Sequence, residues 1–301
     1  MIRPGFAAVL CLGAVLGGAS SSAALAAPPQ PSVFSGIVVD MATRDGWTLK
    51  AKYNPAKAGR MNFLLLHGTG GRKEDWQRLS RPLFWRGCGY LAMDLRGHGE
   101  SRAAPEGKPD FWRKFIVNKE FNGVKNYNEF LNMMADVEAG IAYLASQGVP
   151  EEKIGIIGAD VGGSLGLRYA ALHPKIAMVI LLSPGMKYQE VTTVNAIRAY
   201  KDRPVLMVYS DADKTSAHET PVLFSFAKMS VGEAKAALIV APREHGAKML
   251  RGQIISQVMN WIENPVRSAV AASSETAAGL ALPLPDPEED DDGDVLPPSV
   301  R

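Results

Sequence analysis

The stretch Ile154-Gly155-Ile156-Ile157-Gly158-Ala159-Asp160-Val161-Gly162-Gly163 decides how this chain folds. An apolar, β-branched run leads into Gly-x-Asp-x-Gly-Gly, and a helical pattern of small and apolar residues (Leu165, Leu167, Tyr169, Ala170) follows at once. Together they read as a strand, a tight turn and a helix. Glycines on both sides let the backbone take a strained bend that lifts the side chain of Asp160. This is the layout of a nucleophile elbow, with Asp where Ser more often stands.

Working outward, continuous apolar runs at 62–66, 90–95, 154–157, 178–182, 205–209 and 237–240 are separated by helical patterns. Such runs suit strands covered on both faces, and their alternation with helices implies βαβ units in a mostly parallel sheet. Ahead of them, 34–41 and 47–53 alternate well enough to form an antiparallel hairpin around Thr43-Arg44-Asp45-Gly46. Phe130, Met134, Val137, Ile141 and Leu144 form one apolar stripe, stopped by Gly148. Leu250, Ile254, Val258 and Trp261 form another before Pro265, while Pro82 should kink or shorten the stripe of Trp76, Leu79 and Leu83. The expected fold class is therefore α/β, with eight strands flanked by helices. Between Ser101 and Tyr127, Phe111, Trp112, Phe115 and Phe121 lie in an aperiodic stretch, read as a flap whose aromatics either line a pocket or pack it down.

The ends differ from the body. Arg3, an apolar run from Phe6 to Ala19 and Ala24-Leu25-Ala26 have the form of a secretory signal peptide, expected over 1–26, and the run is short for a transmembrane span. Export would leave Cys88 as the sole cysteine, a buried packing residue. From Arg267 onward, Ala, Ser and Pro give way to an acidic block at 286–294, so 266–301 is expected to be a disordered tail. The whole-chain charge of +2, with Arg3 in the leader and −7 after Arg267, leaves +8 on the body. A single domain over 27–265 accommodates everything between. No aromatic-interleaved basic stripe points to nucleic acid.

Five histidines are present: His67, His98, His173, His218 and His245. None has ligand spacing with a second histidine or a carboxylate pattern, so neither a metal nor another cofactor is expected. His173 precedes Pro174 as a cap or surface residue, and His218 falls on a helix face. His245 follows the last strand, while Asp211 and Asp213 both follow the strand at 205–209. The order of elbow, acid and histidine is that of a hydrolase triad.

The chain resembles the α/β-hydrolase superfamily, and within it the small bacterial dienelactone-hydrolase-like and esterase-like members that have no large cap. The resemblance rests on His67-Gly68-Thr69-Gly70-Gly71, the run from Asp94 to Ser101, the elbow, Leu182-Ser183-Pro184-Gly185, Asp213 and His245-Gly246. It implies an Asp160-Asp213-His245 triad, an oxyanion hole from the backbone amides of Thr69 and Val161, and a small-molecule substrate. It also favours Asp213 over Asp211 as the acid.

Asp160 changes the chemistry. A carboxylate that attacks an ester gives an adduct that expels carboxylate more readily than alkoxide, so ester hydrolysis through Asp160 is disfavoured. Displacement at a saturated carbon would instead leave an alkyl-enzyme ester, which His245 could hydrolyse by activating water. Epoxide hydrolases and haloalkane dehalogenases are similar at this one position. This chain departs from them in its short 183–205 interval and in Val161 after the Asp. The alternatives are a catalytically degenerate protein that binds a ligand or a protein, and hydrolysis with Asp160 as general base. Ser164 is read as packing on the sheet rather than as a substitute nucleophile.

Overall fold

The computed structural model of the protein describes residues 36–116 and 123–266, all within the unit Val33–Arg301. The expected leader 1–26, Phe121 and the expected tail beyond Val266 lie outside the described residues. In chain order the strands are β1 (Ile37–Ala42), β2 (Thr48–Asn54), β3 (Asn62–Leu66), β4 (Gly89–Met93), β5 (Ile154–Ala159) and β6 (Met178–Leu182). A short hairpin of β7 (Lys187–Tyr188) and β8 (Val191–Thr192) follows, and then β9 (Val205–Ser210) and β10 (Ala236–Ala241). All but the short hairpin join one eight-stranded sheet in the order β1-β2-β4-β3-β5-β6-β9-β10. β2 runs antiparallel to β1 and β4, and every other pairing is parallel. The fold is the mostly parallel α/β architecture expected, with no large cap.

The register explains why the strands are apolar throughout. Leu64 of β3 sits between Leu91 of β4 and Ile156 of β5. Leu64, Leu66, Ile154 and Ile156 point into one core, and Phe63, Leu65 and Ile157 into a second on the opposite face. The helices α1 (Gln77–Trp85), α2 (Met134–Ser146), α3 (Asp160–Leu172), α4 (Val194–Ala199), α5 (Lys214–Val231) and α6 (Gly252–Glu263) divide between these faces. Residues of α2, α3, α4 and α5 close the first core, and those of α1 and α6 the second. Burial on both sides leaves no face for polar residues.

Local chemistry sets the boundaries. Gly46 N–H donates to the Thr43 carbonyl at 3.1 Å, and the Thr43 hydroxyl to Asp45 Oδ1 at 2.7 Å, closing the β1–β2 turn. The stripe ending at Leu144 begins as a 3₁₀ turn, Glu129–Met133, capped by the Asn128 side chain accepting from Phe130 N–H, and becomes α2 at Met134. Pro82 lies inside α1, which ends three residues later at Trp85.

Two expectations need correction. β4 stops at Met93 rather than Leu95, because the Leu95 N–H leaves the ladder and donates to His67 Nε2 at 3.0 Å. Ser164 is buried as expected, yet its hydroxyl meets Thr193 Oγ1 at 2.8 Å, so it links α3 to the start of α4 rather than to the sheet.

Arg96, wholly buried, joins three segments. Its Nη1 donates to Asp45 Oδ2 at 2.6 Å and to Glu129 Oε1 at 2.5 Å, and its Nε to Asp136 Oδ1 at 2.7 Å. The β1–β2 turn, the exit of β4 and the start of α2 are thereby tied to one guanidinium.

Candidate active site

β5 delivers Asp160 to the carboxyl end of the sheet, and the backbone bends sharply there: Asp160 has φ of 52°, in the left-handed region that a β-carbon disfavours. Close packing holds the bend. A β-carbon on Gly158 would lie 2.5 Å from the Gly163 backbone, and one on Gly162 would lie 2.5 Å from the carbonyl oxygens of Leu66 and His67. The two glycines let β5, α3 and the exit of β3 approach one another, so the aspartate emerges beside the loop that follows β3.

Three of the expected side chains meet at this point. His245 Nδ1 lies 2.5 Å from Asp213 Oδ2, and its Nε2 lies 3.9 Å from Asp160 Oδ2. The second distance is an ion-pair separation rather than a hydrogen bond. Asp213 begins α5, where its Oδ2 accepts from the Ser216 hydroxyl at 2.5 Å, whereas Asp211 is exposed and outside the cluster. The His245 loop is pinned in turn, with Gly246 N–H donating to Ser183 Oγ at 2.9 Å.

The loop after β3 supplies the other wall. Thr69 N–H donates to Asp160 Oδ2 at 3.1 Å, so the amide expected in the oxyanion hole is bonded to the aspartate itself. Asp160 Oδ1 is buried with no hydrogen-bond partner. Val161, wholly buried, follows Asp160 in the first turn of α3. His67 and His98 are structural supports. His67 Nδ1 donates to the Gly68 carbonyl at 2.7 Å while its Nε2 accepts from Leu95, which fixes the loop that carries Thr69. Burial pushes the His98 imidazole down to about 3, helped by His67 nearby, and its ring stacks on Trp112 at 5.7 Å.

Charge sets the protonation of the centre. Asp160 first, with Asp213 adding to it, holds the His245 imidazole up to about 9, against the opposing effect of partial burial. Burial acts to raise Asp213, but bonds from Ser216 and His245 outweigh it and leave the carboxyl below the ordinary aspartate range. At neutral pH His245 is therefore an imidazolium between two carboxylates.

A cavity of about 840 Å³ opens above Asp160 and His245. Its walls answer the question of the flap. Trp112 lines the cavity, while Phe115 is buried in the core against Phe130 at 5.2 Å. Several lining residues were not singled out in the sequence, among them Arg72, Arg102 and Lys248. Lys248 had a local signal, since it follows His245 by three residues and one 3₁₀ turn brings it to the same rim. His173 and His218 are elsewhere: the first stacks on Tyr169 at the end of α3, and the second is exposed on α5. Among the described residues, no group of three or more His, Cys, Asp or Glu could hold a metal ion, and no helix is long and apolar enough to cross a membrane.

The strand order, the elbow and the histidine after the last strand define a class. Residues 62–223, more than half the chain, match the alpha/beta hydrolase fold family, and the chain belongs to it as a hydrolase of that superfamily. The fold is shared with an esterase of Pyrococcus furiosus, at 19% identity over 77% of this chain and 93% of that one, with a TM-score of 0.59. It is likewise shared with the dienelactone hydrolase of Anabaena variabilis, at 15% identity over 77% and 98% of the two chains and a TM-score of 0.56. A curated relative, the 2-succinyl-6-hydroxy-2,4-cyclohexadiene-1-carboxylate synthase of Salmonella paratyphi C, is 37% identical over 60 residues. That match spans 20% of this chain and 23% of the relative.

Proposed function

We propose that this protein is an exported hydrolase in which Asp160, Asp213 and His245 form a catalytic triad acting on a small molecule with an electrophilic saturated carbon, such as an epoxide or a haloalkane. Export rests on the form of residues 1–26. The chemistry rests chiefly on one observation, the bond from Thr69 N–H to Asp160 Oδ2.

In a serine hydrolase that amide receives the carbonyl oxygen of the substrate. Here the enzyme's own carboxylate oxygen is on it, which leaves an ester carbonyl without that donor. A nucleophilic carboxylate has the opposite need. One oxygen attacks and the other becomes the carbonyl oxygen of the new ester, so the second belongs on an oxyanion donor. Oδ2 has that place, and Oδ1, bonded to nothing, keeps its lone pairs uncommitted. Oδ1 reaches the cavity by coupled rotation about Cα–Cβ and Cβ–Cγ, which pivots the carboxylate on Oδ2 and keeps that oxygen on the Thr69 amide.

The Oδ1 lone pair would form the new C–O bond as the epoxide C–O or carbon–halogen bond breaks, its electrons leaving on oxygen or halide. Forming the ester removes the negative charge of Asp160, one of the two influences that hold His245 protonated. His245 then gives its proton to the alkoxide of the opened epoxide, or to solvent once halide has left, and becomes able to accept one from water, oriented by Asp213. Water adds to Cγ of Asp160, the developing oxyanion on Oδ2 stays on the Thr69 amide with Val161 N–H as second donor, and collapse releases the alcohol. His245 returns the proton to the departing alkoxide.

The test is intact-mass measurement of the His245→Gln variant after exposure to panels of epoxides, haloalkanes and activated esters. Capture of the first two as an adduct mapped to Asp160, with none from esters, is the expected result. Absence of any adduct, with turnover unchanged in Asp160→Ala, rules out covalent catalysis by Asp160 and favours a binding role.

A further inference from the structure

The cavity above Asp160 is lined by four cations, Arg72, Lys73, Arg102 and Lys248, and four acids, Glu74, Asp75, Glu100 and Asp160, which do not all pair with one another. Its acids are engaged. Lys73 Nζ, itself only 3% exposed, lies 2.7 Å from Asp94 Oδ2, is ion-paired with Glu100, and reaches Glu74 at 3.4 Å. Glu74 also meets Lys52 at 3.4 Å, and Asp75 Oδ2 accepts from Arg72 N–H at 3.0 Å. Two cations of the same walls have no such counterpart: Arg102 and Lys248 make no ion pair with any described residue. The Arg102 guanidinium lies over the Phe111 ring at 4.9 Å, where the ring holds it without neutralising it.

These cations come from different places in the sequence. Arg102 follows β4, and Lys248 sits in the 3₁₀ turn just after His245. The fold brings both to the cavity that holds Asp160 and His245. Arg72, from the loop after β3, adds a third positive group to the rim, paired only loosely with Glu74 at 3.9 Å. We infer that the site takes a substrate carrying its own oxyanion, a carboxylate or a phosphate, held by Arg102 and Lys248 while its electrophilic carbon faces Asp160. This rests on the hydrolytic reading of the site and names its substrate class.

The charge logic supports the assignment. An anion approaching a carboxylate nucleophile is repelled by it. Cations on the cavity wall offset that repulsion and favour the orientation in which the anionic end of the substrate lies away from Asp160. A neutral substrate would leave Arg102 and Lys248, both exposed, to solvent.

Two measurements on the full chain separate this inference from the catalytic proposal. Calorimetric titration with succinate, inorganic phosphate and neutral succinamide reads binding alone. Succinate or phosphate should bind and succinamide should not. The Arg102→Gln/Lys248→Gln double variant, with an unchanged melting temperature, should weaken the anion by about tenfold or more, and the stronger of the two anions tells carboxylate from phosphate. Turnover of the epoxide glycidate against its neutral amide reads catalysis, and the anion should be preferred by at least a similar factor. Equal binding of succinamide and the anions, absence of anion binding, or anion binding unaffected by the double variant overturns the inference. Anion binding that depends on Arg102 and Lys248, without turnover of either epoxide, upholds the inference and rejects the covalent mechanism.

Discussion

At the scale of single residues, the chemistry turns on how two carboxylates share one imidazole. Asp160 and Asp213 approach His245 from opposite ring nitrogens, and their joint charge carries its titration to about 9. Replacing Asp160 with Asn keeps the shape and removes one of the two negative charges, so His245 should titrate lower by about one unit or more. Imidazole NMR shifts followed against pH check this, and an unchanged midpoint would mean that Asp160 does not act on the ring. The linkage sign follows. A histidine whose pKa is raised on folding contributes stability that is full below about 6.5 and is lost as pH rises through 9, so this loss should be smaller in Asp160→Asn. The triad order was legible in the sequence because each member follows a recognisable strand. The bond between Thr69 and Asp160 Oδ2 was not, because it depends on which way one carboxylate turns.

At the scale of elements, close approach of backbones at the elbow is the main constraint. Gly162 packs on the carbonyls that end β3, so Gly162→Ala should cost about 1–3 kcal/mol through overpacking and displace the loop bearing Thr69. Urea unfolding reads the first effect, and loss of turnover beyond the stability change reads the second. The strands were legible for a related reason. β3 and β6 occupy the expected 62–66 and 178–182, because a strand buried on both faces is an almost unbroken apolar run, with Asn62 its one polar residue here. β4 ended early because a histidine 28 residues back takes the Leu95 amide, a partnership that no local pattern records. The short hairpin β7–β8 and α4 had no strong periodicity and emerged only in the structure.

At the scale of the whole molecule, buried charge ties distant parts together. Arg96→Met would strand Asp45, Glu129 and Asp136 around an apolar side chain and should cost about 3–5 kcal/mol, measurable by chemical denaturation. A change below 1 kcal/mol would mean that those acids find protons or other partners. The unpaired cations of the cavity also belong to this scale. That Lys73 takes Asp94 and Glu100, while Arg102 takes neither, is decided by the assembled fold rather than by the order of charges along the chain.

The sheet order has one more consequence. Asp160 leaves β5 near the middle of the sheet, but His245 follows β10, an outermost strand paired only with β9. Edge strands open to solvent at lower free energy than central ones. Transient fraying at that margin would carry off His245 while leaving the aspartate and its glycine-packed bend in place. Inactivation by heat or denaturant would then precede global unfolding and reverse on cooling or dilution, so the working range of the hydrolase would be set by its weakest strand rather than by its core.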